Sequence, residues 1–111
     1  MAQTYKVLGQ VCPADTNLTS LYTVPASNRT VVSTINVANI SASAITYRIA
    51  IRPGGETIEA KHYQAYDVLL AANDSIAFTL GVTLAATDVV SVRSSSENNV
   101  AFSIFGMEES E

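Results

Sequence analysis

Few side chains in this sequence have the chemistry to act on a substrate. His62 is the only histidine and Cys12 the only cysteine. A nucleophile–base–acid arrangement would have to run through His62, with Asp67 close by in sequence and many serines to choose from. Such triads are set by geometry rather than by order along the chain. No G-x-S-x-G turn or other activating context accompanies the histidine, so His62 reads as a corner or interface residue held by hydrogen bonds. One Cys and one His cannot make a structural zinc site alone, and the scattered carboxylates form no calcium loop. Gly54-Gly55 follows Arg52-Pro53 without the helix and the Lys-Ser/Thr pair of a phosphate-cradling loop, and reads as a tight turn. Glu56, Glu59, Asp67, Asp74 and Asp88 are the candidates for a glycosidase carboxylate pair, but Asp74 and Asp88 stand where turn and strand-start residues normally stand. No catalytic, cofactor-binding or metal-ligating residue is assigned, no cofactor is expected, and the chain reads as no enzyme. Tyr63 and Tyr66 flank His62 in an irregular stretch. His62, Tyr63 and Tyr66 are therefore the candidate interaction surface, and a small ligand such as a glycan would be sought there. Tyr47 alternates with apolar neighbours and reads as core.

The elements that must position these residues are strands. Apolar residues recur with period two, the mark of half-buried strands. In Ile45-Thr46-Tyr47-Arg48-Ile49-Ala50-Ile51-Arg52, positions 45, 47, 49 and 51 point one way and Thr46, Arg48 and Arg52 the other. Val31, Ile35 and Val37 read as inward on the preceding run, with Thr34 and Asn36 outward. The same alternation groups Tyr5, Val7 and Val11; Ile76, Phe78 and Leu80; Val90 and Val92; and Val100, Phe102 and Ile104. Turn residues punctuate these runs at Pro13-Ala14-Asp15, Pro25 to Asn28, Ser41 to Ser43, Pro53 to Gly55, Asn73-Asp74 and Ser95 to Asn98. The spacing predicts about eight strands, near 4–12, 20–24, 30–40, 44–52, 66–70, 75–81, 88–94 and 99–106. The short break at 41–43 predicts a hairpin between the third and fourth. Ile58, His62 and Tyr66 fall at helical spacing, so 58–66 reads as a single helical turn or a long corner. One apolar face per strand is satisfied most simply by two packed antiparallel sheets. The expected fold is all-β, a two-sheet, jelly-roll-like sandwich, forming one domain over 1–111.

Composition narrows the function classes. The chain has 111 residues and a net charge of −4, with 14% charged residues. Its six basic residues are scattered, and no run of them could neutralise consecutive phosphates, so nucleic acid is not an expected partner. The acidic residues cluster at Glu108-Glu109-Ser110-Glu111, read as a short solvated tail at 108–111. With a single cysteine there is no intrachain disulfide, and Cys12, at the end of a strand-like run, reads as a small core residue. The N-terminus lacks the pattern of a signal peptide, and no apolar stretch has membrane-spanning length. The chain is expected to be made in a cytoplasm and not to leave by the general secretory route under its own signal, with no membrane partner. Asn17, Asn28, Asn39 and Asn73 each head an N-x-S/T triplet; without a secretory signal these read as turn residues.

Several phrases taken together resemble small virion proteins of tailed bacteriophages of aquatic bacteria, cyanophages among them. They are Leu21-Tyr22-Thr23-Val24-Pro25-Ala26, Thr30 to Ile35, Thr46 to Gly55, Lys61-His62-Tyr63, Ala65-Tyr66-Asp67 and Leu84 to Val92. The resemblance runs from about residue 5 to 106 and carries no motif of assigned function. It implies a β-sandwich building block present in many copies on a virion after synthesis in the host cytoplasm. A capsid decoration (cement) protein that bridges shell subunits is the first expectation. A tail, baseplate or fibre component that recognises a host glycan is the alternative. The implied partners are the major capsid protein or tail proteins, and copies of the chain itself in a homo-oligomer, a trimer first.

Overall fold

In the computed structural model, which describes residues 2–110, eight strands form two four-stranded antiparallel sheets. Met1, Glu111 and the side chain of Leu80 lie outside the described residues. The strands are β1 (Gln3–Val11), β2 (Thr19–Thr23), β3 (Asn28–Asn39), β4 (Ile45–Arg52), β5 (Tyr63–Leu70), β6 (Ser75–Leu84), β7 (Val89–Ser94) and β8 (Val100–Ser110). One sheet has the order β1-β8-β3-β6, the other β2-β7-β4-β5. Successive strands mostly alternate between sheets, which makes the sandwich a jelly roll. Two 3₁₀ turns, Pro53–Gly55 and Ala60–His62, sit in the long β4–β5 connection.

The core lies between the sheets. Val100, Phe102 and Ile104 of β8 are fully buried against Val90 and Val92 of β7 and Tyr47 and Ile49 of β4, as their alternation predicts. The Tyr47 ring meets Phe78 edge-on at 6.2 Å. Asn39, buried at the end of β3, ties the corner loops together. Its Nδ2 donates to Ser43 O (2.8 Å) and Ala71 O (3.0 Å), and its Oδ1 accepts the Ser41 N–H and O–H. Side-chain bonds of this kind satisfy backbone groups that the loops leave unpaired.

Five expectations need correction. The break at 41–43 is no hairpin: β3 and β4 belong to different sheets, and the loop crosses between them around Asn39. Val31 is not inward; Val32 is buried in its place. Against β8, a register shift between Val32 and Thr34 gives β3 one extra residue, so the inward set is Thr30 and Val32 before the bulge and Ile35 and Val37 after it. The same happens in β1. A shift between Val7 and Gly9 turns Tyr5 and Val7 outward while Leu8 and Val11 touch the core. Cys12 is exposed, because β1 ends at Val11 and the next buried residue is Pro13, whose carbonyl accepts the Asn98 N–H. Residues 108–110 are no free tail. They extend β8, where Glu108 pairs with Lys6 (2.7 Å) and Glu109 with Arg29 (2.7 Å).

Candidate functional site

The two outer faces of the sandwich have opposite chemistry. On the β1-β8-β3-β6 sheet the register places Tyr5 opposite Met107, Met107 opposite Val31, and Val7 opposite Phe105. These five side chains form one apolar strip across three strands. Tyr5 is 80% exposed, Val7 50% and Val31 37%, while Phe105 and Met107 are half-buried. A shallow groove of about 470 Å³ runs between Tyr5, Val31, Phe105 and Met107. The strip exists because of the bulges. A one-residue slip moves every later side chain to the other face, so apolar residues on one side of the slip serve the core and those on the other serve the outside. Gly106 of β8 lies beside the β3 bulge, and a Cβ there would stand 2.1 Å from Val31 O. Only glycine lets β3 come this close.

At the rim of this sheet an ion-pair network closes the space between the two sheets. Lys6 Nζ lies 2.7 Å from Glu108 Oε1, and the Tyr22 hydroxyl bridges Glu108 Oε2 and Thr30 Oγ1. Lys6, and then the Tyr22 hydroxyl, hold the Glu108 carboxyl below the usual carboxylate range. Burial, with the adjacent Glu108, pushes the Tyr22 phenol well up, so it stays neutral and available as a donor.

The β2-β7-β4-β5 sheet carries the residues singled out by sequence. Tyr63 opens β5 and Tyr66 follows three residues later; their rings meet edge-to-face at 4.8 Å and 85°. Tyr66 is 56% exposed. The Arg48 guanidinium of β4 stacks on the Tyr66 ring at 3.9 Å and makes a two-pronged bond to Asp67, at 2.6 and 3.0 Å. Arg93 of β7 reaches the same carboxylate at 3.7 Å. Arg48 and Arg93 stand directly opposite each other in the ladder, and Asp67 relieves a repulsion that such a pair would otherwise carry. Its carboxyl is held low by the Arg48 hydrogen bonds first. Asp67 has a positive φ of 50°, a conformation that Asp tolerates better than most residues. A groove of about 430 Å³ is bounded by Ala60, Tyr63 and Tyr66.

His62, unlike the two tyrosines, is withdrawn from this surface. It is 3% exposed, and its ring closes the 3₁₀ turn. Nδ1 accepts the Glu59 N–H at 3.0 Å, and Nε2 faces Glu56 Oε1 at 3.3 Å. With Nδ1 accepting, the ring proton sits on Nε2. Both bonds stay within the 53–62 connection and fold it back on itself, and neither partner is a serine nucleophile. Among the described residues no group of three or more His, Cys, Asp and Glu side chains converges as a metal site. Sequence reading found Tyr63 and Tyr66, with Asp67 next to them in β5, but not Arg48 and Arg93 as their neighbours, since these come from β4 and β7, which join β5 only in the folded sheet. It also missed the apolar strip. The adjacent apolar pairs Val7-Leu8 and Val31-Val32 are the signal that could have revealed the phase slips.

No protein-family model matches the sequence, and no curated relative is found by sequence. The fold is similar to a chain in the acidic stable capsid structure of Helicobacter pylori bacteriophage KHP30, with a TM-score of 0.51 and 15% identity over 96% of this chain and 90% of that one. Chains in the structures of infectious bursal disease virus are similar too. The Gx strain gives a TM-score of 0.46 at 12% identity and the Gt strain 0.37 at 10%; this chain, 96% covered in both, spans 32% and 28% of them. At these identities the likeness is one of fold: a jelly roll of this size is also found as a chain within a bacteriophage capsid structure.

Proposed function

We propose that this chain is a virion structural protein, a capsid decoration subunit that lies on the assembled shell and braces it. The observation that carries this reading is the apolar strip of Tyr5, Val7, Val31, Phe105 and Met107 on an outward sheet face. Contiguous exposed apolar area on a small domain marks an interaction surface. The strip is flanked on its own face by the paired charges Arg29–Glu109, the arrangement of an apolar centre with a polar rim. The fold likeness to a chain of nearly the same length in a phage capsid structure supports the same reading, as does the resemblance to phage virion proteins.

The mechanism is linkage. A protein that binds the assembled shell and not its free subunits stabilises the shell by mass action. The strip is laid against shell subunits, and copies grouped about a local symmetry axis, a trimer first, multiply the effect of each weak contact. No chemical step is involved. The opposite sheet, with its arginines and tyrosines, then faces outward.

The test uses capsids that lack the chain. Adding the purified protein should raise their rupture temperature, and the protein should co-sediment with them. Tyr5→Glu combined with Val7→Glu places two charges on the strip and should abolish both effects, while Tyr66→Ala on the other sheet should leave both in place. Unchanged rupture with the native protein, or full binding by the double variant, would overturn the proposal.

A further inference from the structure

We infer that the Tyr63–Tyr66 corner, backed by Arg48, Asp67 and Arg93, is a saccharide-binding site on the face that a docked subunit turns outward. The two rings stand at 85° to each other with centroids 4.8 Å apart, forming an L-shaped corner beside a groove of about 430 Å³. One wall can take the apolar C–H face of a sugar ring while the other closes on its edge. The corner is pre-organised. Arg48 stacks on Tyr66 at 3.9 Å and is itself fixed by its two bonds to Asp67, so little side-chain freedom is left to lose on binding. Both tyrosines lie on β5, an element of the sheet rather than a loop, where such sites hold their geometry best.

The polar groups fit sugar hydroxyls. The Tyr63 and Tyr66 phenols supply donors and acceptors at the groove beside Ala60, the few polar groups in an apolar lining expected of a small-molecule site, while Asp67 supports the corner through Arg48, and Arg93 is held by Asp67 and the Thr16 carbonyl. Charge adds a preference. Arg48, Arg52 and Arg93 all belong to β4 and β7, and Asp67 is the carboxylate that both Arg48 and Arg93 share. Arg52 bonds the Gly55 and Glu56 carbonyls and the Ser91 hydroxyl instead. Glu56, Glu59 and Lys61 stand in the connection beside the groove, but on the strands three arginines stand against the one carboxylate of Asp67, so saccharides whose carboxylate or phosphate reaches Arg48 or Arg93 are favoured over neutral ones. A proline-rich or extended peptide is the competing occupant. β5 is an open sheet edge, but register shifts at Tyr47/Ile49 and Ile49/Ala50 interrupt its pairing with β4. Bulged edges of this kind resist strand addition.

The test is an array of neutral and acidic bacterial surface oligosaccharides, probed with the free full-length protein and followed by titration of the strongest hit. Capsids are not needed, so the outcome is independent of the decoration proposal. Expected are hits among the acidic glycans, at least tenfold weaker binding by Tyr66→Ala, and binding retained by Tyr66→Phe, which keeps the ring. Thermal unfolding of both variants controls for a folding defect. An array without hits, binding unaffected by Tyr66→Ala in a folded protein, or binding of a proline-rich peptide in place of any saccharide would overturn the inference.

Discussion

Replacing Asn39 by alanine should cost this small domain a large share of its stability. Asn39 is 2% exposed and joins three segments of chain. Its Nδ2 carries two protons. One bond runs to Ser43 O at 2.8 Å and one to Ala71 O at 3.0 Å, with Leu70 O at 3.3 Å sharing a proton. Its Oδ1 accepts Ser41 N–H at 3.0 Å and Ser41 O–H at 2.8 Å. Four full bonds at roughly 1 kcal/mol each give about 4 kcal/mol. A domain of this size has only about 5–15 kcal/mol in total. At about 4 °C per kcal/mol, the unfolding midpoint should drop by about 16 °C. Asn39→Asp should be worse, because it removes both donor protons and aims a carboxylate at three carbonyl oxygens. The assay is urea unfolding followed by circular dichroism, checked by thermal melts. A loss below about 1 kcal/mol for Asn39→Ala, or an Asp variant more stable than the Ala variant, would refute the account of this corner.

Three further outcomes follow from the packing. Gly106→Ala puts a Cβ 2.1 Å from Val31 O and should cost about 3 kcal/mol, the range of overpacking against backbone that cannot move aside. Gly81→Ala, with nothing within 4 Å, should be neutral or slightly stabilising in the same melts. Tyr47→Phe removes a buried hydroxyl that has no protein partner and should stabilise by about 1 kcal/mol; a loss of stability would mean that the hydroxyl is satisfied. Glu108, Glu109 and Asp67 are all held below the usual carboxylate range. Groups with a lowered folded pKa contribute stability above their unfolded value of about 4, and that contribution disappears as pH falls through the folded values. Stability should therefore be level from pH 7 to about 5 and decline below about 4. Glu108→Gln should flatten that decline and lower stability at pH 7 by about 1 kcal/mol.

The strands were legible in the sequence wherever one alternating face stayed in phase. Ile45 to Arg52 and Val100 to Ile104 are such runs, and the jelly-roll-like sandwich follows from counting them. Phase slips were not legible as they stood. A bulge adds one residue without changing composition, so Tyr5, Val7 and Val31 look like core residues until the pairing with β8 is known. A short turn between two strands reads the same whether they pair or cross to opposite sheets, which is why the 41–43 loop was misread. The acidic end of the chain looks like a tail because Gly106 interrupts the apolar pattern. Its partners, Gln3, Lys6 and Arg29, lie far away in sequence. At the candidate ligand corner the tyrosines and the adjacent Asp67 could be read, but the arginines that bind them are gathered only by the sheet.

The account rests on the chain being a lattice component of a virion. Quantitative mass spectrometry of purified particles, measuring this chain against the major shell protein, tests that most directly. The decoration reading predicts a copy number comparable to that of the shell subunit. A few copies per particle would move the chain to the tail or baseplate and contradict that reading, and its absence from particles would contradict a virion role altogether.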